Sequence, residues 1–269
     1  MQTSTSRTAT AAVAAASPSQ TSVPHRPSQY TRTQILGVWA AAAVPMAALA
    51  WVMAPWLAGQ LNGPTAAPRA LMVALTAGLV WQFALVLMLV HREQSAVRWA
   101  VLKDALWLQA PRSPRTGRTG GLIWLAVVPA VLVFGARELL PSIAAATGRD
   151  LPSFLGSTAG ADLLAGSWGW LTLIVVMAVF NTVLGEELLF RGLLLPRMQS
   201  ACGRADWIVN GVLFATYHLH MPWVIPTTLI DTLALSYPAR RYRSALIAIA
   251  VHSTQSVVII TLTLLLVLR

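Results

Sequence analysis

Three ionisable side chains, Glu186, Glu187 and Arg191, stand in the middle of the otherwise apolar stretch VVMAVFNTVLGEELLFRGLLLP at residues 175–196. A stretch of this length and composition is typical of a transmembrane helix, where a central charge costs about 2.5–3.5 kcal/mol on insertion scales. Glu187 and Arg191 are four residues apart with the acid first, which is the favourable order for an ion pair on a helix. Glu186 points about 100° away and is free to face another partner. An ionisable cluster at this depth predicts a functional site.

Two histidines occupy later apolar segments, His218 in FATYHLH and His252 in IAIAVHSTQSVVII. At a rise of about 1.5 Å per residue, Glu186, His218 and His252 each fall roughly 14–22 Å from the cytoplasmic end of their helices. We therefore expect three helices to bring these side chains to one level of the membrane.

A glutamate and two histidines at one level suit two kinds of hydrolytic chemistry. Glu186, His218 and His252 are the ligand types of a His₂Glu zinc site that keeps one position open for water. Equally, Glu186 alone can activate a water while a histidine donates to the oxyanion. The zincin signature HExxH is absent from the sequence, so that class of metalloprotease fold is not supported. Both alternatives predict water attacking a carbonyl group inside the membrane.

The composition predicts the elements that hold this cluster. The chain has 269 residues, of which 56% are hydrophobic and 10% charged, with a mean hydropathy of +0.64. These values are typical of an all-α polytopic transmembrane helical bundle. We expect about seven spans, at residues 35–57, 70–90, 122–140, 168–198, 207–220, 223–237 and 244–268. No soluble domain is apparent between them.

Two further segments differ from the spans. Residues 1–34 are rich in Ser, Thr, Ala and Pro, which predicts a disordered tail before a membrane-embedded domain at 35–269. Residues 93–108, EQSAVRWAVLKDALWL, predict an amphipathic helix on the membrane surface, with Val97, Leu102 and Leu106 on its apolar face.

Charge gives the expected topology and partners. The net charge is +10, and basic residues concentrate in alternate loops, so the positive-inside rule predicts a cytoplasmic N-terminus. The charge therefore indicates membrane topology, and no nucleic-acid partner is expected. The single cysteine, Cys202, excludes an intramolecular disulfide and a multi-cysteine metal site. The Ala-rich chain with short loops looks bacterial, which predicts an integral protein of the bacterial cell membrane.

At three places the sequence resembles the motifs of one family. GEELLFRG resembles an EExxxR motif, LFATYH resembles an FxxxH motif, and AIAVHSTQS resembles a final HxxxN or HxxxD motif. In order and spacing, residues 168–261 are similar to the core of the CPBP family. This family comprises type II CAAX prenyl endopeptidases and bacteriocin-processing or immunity proteins.

The resemblance implies a role for each motif residue. Glu186 would be the base that activates water, and Glu187 and Arg191 would form a supporting pair. His218 and His252 would hold a metal, with zinc the expected ion, or would hold the water and the oxyanion. The family is described both as a metalloprotease and as a glutamate-dependent peptidase, and the sequence leaves this choice open.

Three other residues are expected to line the site. Phe214 belongs to the FxxxH-like motif. Ser256 stands four residues after His252, where the family has Asn or Asp, and a serine hydroxyl reaches less far than an amide. Asn210, eight residues before His218, is a weak candidate to replace that amide.

The function predicted on these grounds is an intramembrane endopeptidase that acts on a membrane-bound or lipid-modified peptide or protein. One alternative is a non-catalytic membrane scaffold or immunity-type protein with the same fold. Another is a proton-coupled transporter in which Glu186, Asp231 and His252 relay protons. The lack of paired broken helices in two halves counts against the transporter.

Overall fold

The computed structural model describes residues 27–94, 98–141, 143–146 and 148–269. This part of the chain is helical apart from its connecting turns, and its only β contact is an isolated bridge between Arg112 and Thr119. The predicted all-α class is therefore confirmed.

Five helices within the described residues are long and apolar enough to cross a membrane. They are α1 (Arg32–Gln60), α2 (Ala66–Glu93), α3 (Gly121–Leu139), α4 (Trp168–Arg197) and, last in the chain, Ala245–Val267. Many of their large apolar side chains, such as Val52 and Leu132, are exposed at the surface of the protein. Because such side chains favour lipid over water, these helices define an integral membrane protein.

The expected count of seven spans is not confirmed, because the region between α4 and the last helix is broken. Helix α5 (Asp206–Tyr217) has 12 residues and continues into a single 3₁₀ turn, His218–His220. At 1.5 Å per residue it is about 18 Å long, short of the roughly 30 Å of a hydrocarbon core. The expected sixth span is divided into Ile225–Thr228, Thr232–Ser236 and Tyr237–Tyr242. The last helix, Ala245–Val267, is called α6 below.

The predicted surface helix is shorter than expected. Only Trp99–Ala105 is helical, and residues 95–97 lie outside the described part of the chain. Leu106 is 1% exposed, and Trp107 follows with a φ of +49°, which turns the chain. The Trp107 carbonyl accepts a hydrogen bond from the Ala245 amide at 3.0 Å. This segment therefore packs against the start of α6 instead of lying wholly on the membrane surface.

The first span begins earlier than expected. Helix α1 starts at Arg32, and Thr31 and Gln34 form a capping box at its N-terminus. Thr31-x-x-Gln34 is the sequence pattern of such a box. The Tyr30 amide donates to the Arg197 carbonyl at 2.9 Å, so the chain before α1 contacts the end of α4. Residues 1–26 of the predicted tail lie outside the described residues.

Glycines let the neighbouring backbone approach the centre of α4. A Cβ atom at Gly185 would lie 3.1 Å from the Leu79 carbonyl oxygen in α2, and one at Gly192 would lie 3.1 Å from the Leu106 carbonyl oxygen. Both distances are shorter than ordinary contacts, and small residues permit this close packing in membranes. The two glycines of GEELLFRG therefore hold the ionisable cluster deep between packed elements.

Candidate active site

The backbone of α4 departs from regular α-helix on both sides of the two glutamates. Phe180–Gly185 and Leu188–Leu194 are π-helical, and Glu186 and Glu187 lie between them. Segments of π-helix are rare and occur frequently at functional sites, where they redirect side chains. The two glutamate side chains thus project from the part of α4 where the helical geometry is least regular.

Glu187 joins α4 to α6 and is fully buried. Its Oε1 accepts a hydrogen bond from Arg191 Nη1 at 3.0 Å and lies 2.9 Å from His252 Nδ1. The ion pair expected from the four-residue spacing is therefore present. One carboxylate oxygen holds both the arginine of its own helix and the histidine of the last helix.

Three other predicted residues lie around the Phe214 ring. The Arg191 guanidinium carbon lies 4.0 Å from the ring centroid. The imidazole centroids of His218 and His252 lie at 5.1 and 6.2 Å from it. Three helices, α4, α5 and α6, therefore bring Arg191, His218 and His252 together around Phe214. The shared level predicted for Glu186 and the two histidines stays a prediction.

Each histidine is oriented through its Nδ1 atom. His218 Nδ1 lies 2.9 Å from the Phe214 carbonyl oxygen, which accepts only from an N–H group. His252 Nδ1 faces Glu187 Oε1. In both rings the partner of Nδ1 fixes the orientation, which leaves Nε2 as the nitrogen available for chemistry.

Glu186 faces a different side of the site. It is 3% exposed, and its nearest polar neighbours include the Tyr217 side chain of α5. The Tyr217 hydroxyl in turn accepts a hydrogen bond from Gln82 Nε2 of α2. His252 lies within electrostatic range of Glu186. The two adjacent carboxylates thus have different surroundings.

Several buried polar atoms of the cluster have no hydrogen-bond partner in the described part of the protein. They are Glu187 Oε2, Arg191 Nε and Arg191 Nη2. Leaving such a group unpaired costs about 1–3 kcal/mol, and more when it is charged. These atoms can still bind polar groups, so the cluster is incomplete as a purely structural network.

The predicted zinc ligands do not form a metal site in this arrangement. In the described residues, no three His, Cys, Asp or Glu side chains lie close enough together to hold an ion. His252, one of the predicted ligands, faces Glu187 Oε1 through its Nδ1, and Arg191 binds the same oxygen. We therefore derive no chemical step through a metal, and zinc stays a prediction.

Two expected lining residues have contacts of a different kind. Asn210 Nδ2 donates to the Phe190 carbonyl at 2.8 Å, and its Oδ1 accepts from Ser236 Oγ at 3.0 Å. These bonds hold α5 against its neighbours and use both ends of the amide. Ser256 Oγ lies 3.1 Å from the Thr182 hydroxyl of α4. Thr182 precedes Glu186 by four residues, so Ser256 lies about one helical turn from Glu186.

A second ion pair beside the site was missed from the sequence. Arg137 Nη1 lies 3.6 Å from Asp231 Oδ2, and Asp231 is 1% exposed. The Arg137 guanidinium also covers the Phe134 ring, which contacts the His252 ring at 5.5 Å between centroids. Asp231 was noted only as a residue of a possible proton relay, whereas Arg137 reads as a loop charge.

His220 and Gln82 were also not predicted as part of the site. The His220 ring stacks on His218 with 5.4 Å between centroids and is 6% exposed. Gln82 is fully buried and belongs to a helix that carries no recognisable motif. In the sequence, the one feature that marks Gln82 is its polar amide side chain within an otherwise apolar helix.

The fold and the buried Glu–Arg–His cluster define a helical membrane protein with an intramembrane polar site. Residues 168–258 match the family model described as "Type II CAAX prenyl endopeptidase Rce1-like". This region contains all three motifs, and the match supports the resemblance to the CPBP family. The match begins at α4, and α1 to α3 lie outside it. No curated protein and no solved structure matches the chain.

Proposed function

We propose that the protein is an intramembrane endopeptidase that hydrolyses a peptide bond of a membrane-bound or lipid-modified substrate. The observation that carries the proposal is the different state of the two adjacent glutamates. Glu187 is bound by Arg191 and His252, whereas no arginine or histidine lies within salt-bridge distance of Glu186 in the described residues. A carboxylate that no cation holds directly is the better general base. The match to a protease family supports this assignment.

The first step places Glu186 as the base. Its carboxylate removes a proton from a water molecule, and the water oxygen attacks the carbonyl carbon of the scissile peptide. His218, oriented by the Phe214 carbonyl, presents Nε2 as an acceptor that positions the same water. General-base catalysis of this kind typically contributes a factor of about 10²–10⁴.

The second step uses His252. When this imidazole is protonated, Nδ1–H donates to Glu187, and Nε2–H donates to the oxyanion that forms on the former carbonyl oxygen. Stabilisation of such an oxyanion is a large term in acyl transfer. The carbon–nitrogen bond then breaks, and the proton held by Glu186 passes to the leaving amine. The products are a new carboxyl terminus and a new amino terminus.

The test compares cells that express the wild type, Glu186→Gln and the control Glu138→Gln. The control makes the same chemical change at a glutamate whose side chain is 77% exposed. Termini of membrane proteins are quantified by mass spectrometry. We expect a set of termini that is present with the wild type and the control and absent with Glu186→Gln. Identical termini in all three, with equal amounts of folded protein, would contradict the proposal.

A non-catalytic scaffold or immunity-type protein is the second candidate, and one observation favours it. Ser256 replaces the amide or acid of the family motif, and its hydroxyl lies against Thr182. In that case Glu186→Gln would leave all termini unchanged while a binding function persists. The same experiment therefore separates the two candidates.

Zinc is tested separately. Purified protein is dialysed against a chelator, and peptidase activity is measured before and after Zn²⁺ or Mg²⁺ is restored. Loss of activity that Zn²⁺ alone restores would support a bound zinc. Full activity in the chelated protein would support hydrolysis by Glu186 and the histidines without a metal.

The proposed topology has a cytoplasmic N-terminus and a site open toward the cytoplasm of a bacterial cell. The basic loop at residues 111–120 would then be cytoplasmic, and the loop at 61–65 external. The broken segments between α4 and α6 would complete the seven passes. The check is labelling of single cysteines in a Cys202→Ser background. Asn62→Cys is expected to react in intact cells, and Arg115→Cys only after permeabilisation.

A further inference from the structure

Two segments at one end of the helical bundle carry exposed arginines, and we call these residues the basic patch. They are Arg112, Arg115, Arg118, Arg241 and Arg243. Neither segment, residues 107–120 before α3 nor residues 237–244 before α6, contains an acidic residue. A sixth arginine, Arg240, is bound to Asp206 of α5. The five arginines of the patch form no ion pair in the part of the chain that the structure describes.

Hydrogen bonds hold the two segments side by side. The Arg112 amide donates to the Tyr242 carbonyl at 2.8 Å, and the Ser244 hydroxyl donates to the Gln109 carbonyl at 2.6 Å. The backbone bond at the start of α6 described above joins the same segments a third time. Tyr242 stands between the two arginines of the second segment. The charges of both segments therefore lie within one small region of the surface.

Membrane topology alone does not account for this arrangement. The positive-inside rule depends on how many basic residues a loop contains and not on how the loop is folded. This loop is folded, since Arg112 pairs with Thr119 in a bridge and the Ser113 amide donates to the Arg118 carbonyl at 2.8 Å. A closed loop that is bound to a second turn presents its charges at defined positions.

The backbone of Arg243 indicates that an arginine side chain is needed at this position. Arg243 has φ +49° and ψ +48°, a left-handed conformation, at the end of the helix Tyr237–Tyr242. Glycine or asparagine is usual there, because a Cβ atom makes this conformation unfavourable. The exposed side chain of Arg243 forms no ion pair with the described residues that would explain the cost. A group outside the chain that binds a guanidinium would explain it.

The basic patch lies where the headgroups of a bilayer would surround the helices. Arg118 is three residues before α3, and Arg243 is two residues before α6. Leu122, in the first turn of α3, is 84% exposed. A cation beside an exposed apolar side chain at the end of a membrane helix matches a lipid, whose phosphate lies above its acyl chains.

We propose that the basic patch binds the phosphate groups of anionic phospholipids. Guanidinium groups bind phosphate oxygens through pairs of hydrogen bonds. Clusters of about four to eight basic residues beside a membrane helix attract anionic lipid. A lipid bound here contacts both the loop before α3 and the start of α6, and so stabilises the contact between these two helices. The proposal does not depend on peptidase activity.

The first experiment measures thermal unfolding of the full chain in nanodiscs of phosphatidylcholine alone and in an equal mixture with phosphatidylglycerol. The wild type is expected to have the higher Tm in the mixture. The triple variant Arg115→Gln, Arg118→Gln, Arg241→Gln should lose most of this rise. The control Arg92→Gln removes an exposed arginine at the end of α2, outside the basic patch, and should keep it.

Two results of this experiment would overturn the proposal. One is an equal rise of Tm in the wild type and the triple variant, which would show that the patch does not bind the anionic lipid. The other is an equal loss of the rise in Arg92→Gln and the triple variant. That result would show that the lipid responds to the total charge of the protein and not to this surface.

The Arg243→Gly variant separates the charge from folding. Glycine adopts the left-handed conformation readily, so in phosphatidylcholine alone this variant should be at least as stable as the wild type. In the mixture its Tm should rise less than that of the wild type, because one phosphate ligand is missing. An undiminished rise in the mixture would contradict the role of Arg243.

Native mass spectrometry then counts the lipids that stay bound after release from the mixed nanodiscs. Each basic residue near the surface favours anionic lipid by roughly fivefold, so the wild type should retain at least about tenfold more phosphatidylglycerol than the triple variant. Inorganic phosphate, added to the phosphatidylcholine nanodiscs, tests the other source of the same chemistry. A rise of Tm equal to that with phosphatidylglycerol would show a site for free phosphate and would overturn the lipid as occupant.

Discussion

Two buried carboxylate–arginine clusters lie along α4, and they differ in how completely their hydrogen bonds are made. The terminal cluster lies at the C-terminal end of α4 and consists of Arg197, Glu93 and Tyr30. Its fully buried Arg197 donates to both oxygens of Glu93 and to the carbonyls of Ala105 and Leu193. Glu93 also accepts from the Tyr30 hydroxyl at 2.5 Å. No nitrogen of the Arg197 guanidinium is left without a partner.

The central cluster consists of Glu186, Glu187, Arg191 and His252. Arg191 is also fully buried, yet it makes one ion pair, and two of its nitrogens have no hydrogen-bond partner in the described chain. One oxygen of Glu187 is likewise without a partner. A carboxylate and an arginine thus form a completed hydrogen-bond network at the end of α4 and an incomplete one about a turn and a half earlier in the same helix.

This difference indicates what each cluster does. A completed buried network fixes the positions of the chain segments that supply its groups. An incomplete one is expensive to maintain, and such groups in native structures call for an explanation such as catalysis or ligand binding. We infer that the terminal cluster holds the chain together and that the central cluster acts on a substrate.

The largest expected effect is on the activity of the central cluster. Glu186→Gln keeps the size of the side chain and removes the base, so kcat/KM should fall by about 10²–10⁴-fold. Tm should change little, because Glu186 is not part of an ion pair with an arginine. Activity above one tenth of the wild-type value, in purified folded protein, would remove Glu186 from the role of base.

The terminal cluster should respond in the opposite way. Glu93→Gln leaves buried Arg197 without its counter-charge, and removal of one partner of a buried ion pair costs about 3–5 kcal/mol. Because the Glu93 side chain is 14% exposed, we expect a value near the lower end of that range. The free energy of unfolding is measured by denaturant titration in detergent micelles. Equal stability of Glu93→Gln and wild type would show that the terminal cluster does not hold the chain together, which contradicts the difference drawn between the two clusters.

A smaller effect is expected at Tyr30, and it depends on pH. Burial raises the pKa of the Tyr30 hydroxyl above its ordinary value, and its hydrogen bond to Glu93 acts in the same direction. The folded protein therefore holds this proton more tightly than the unfolded chain. The stabilisation is complete below the unfolded pKa of about 10 and is lost as pH rises further.

The Tyr30→Phe variant tests this. At neutral pH its free energy of unfolding should fall by about 1.5–3 kcal/mol, the usual contribution of a hydrogen bond to a charged group. Above about pH 10 the wild type should lose stability faster than the variant. Parallel stability curves from pH 8 to pH 11 would show that the hydroxyl does not stabilise the terminal cluster.

The smallest expected effect is at Ser256. Its hydroxyl contacts Thr182 and none of the four residues of the central cluster in the described structure. Ser256→Ala should therefore cost about 0.5–1.5 kcal/mol of stability and reduce kcat/KM by less than about tenfold. A loss as large as that of Glu186→Gln would place the Ser256 hydroxyl among the reacting groups.

Interactions within one helix were predictable from the sequence, since they depend on spacing alone. The Glu187–Arg191 pair and the apolar faces of α2, α4 and α6 are of this kind. The approach of His218 and His252 to Phe214 was suggested by the similar depth of the two histidines in their helices. The partner of His252, by contrast, is set by the packing of α6 on α4, which spacing does not determine.

The remaining differences arise from tertiary packing. Residues 206–242 are apolar enough for two spans, but Pro222, Pro226 and Pro238 divide the backbone into short pieces. Gln82 and Arg137 contact the site from helices without a motif, so no local pattern identifies them. Asn210 was expected near the reacting groups, whereas its amide is used in helix packing.

The most direct test of the central claim follows the oxygen of the attacking water. Membranes that contain the wild type or Glu186→Gln are incubated in water enriched in ¹⁸O, and the new carboxyl termini are then analysed by mass spectrometry in ordinary water. The account predicts that termini specific to the wild type carry one ¹⁸O atom and are missing with Glu186→Gln. Equal amounts of the same labelled termini with both proteins would contradict the claim that Glu186 activates the water.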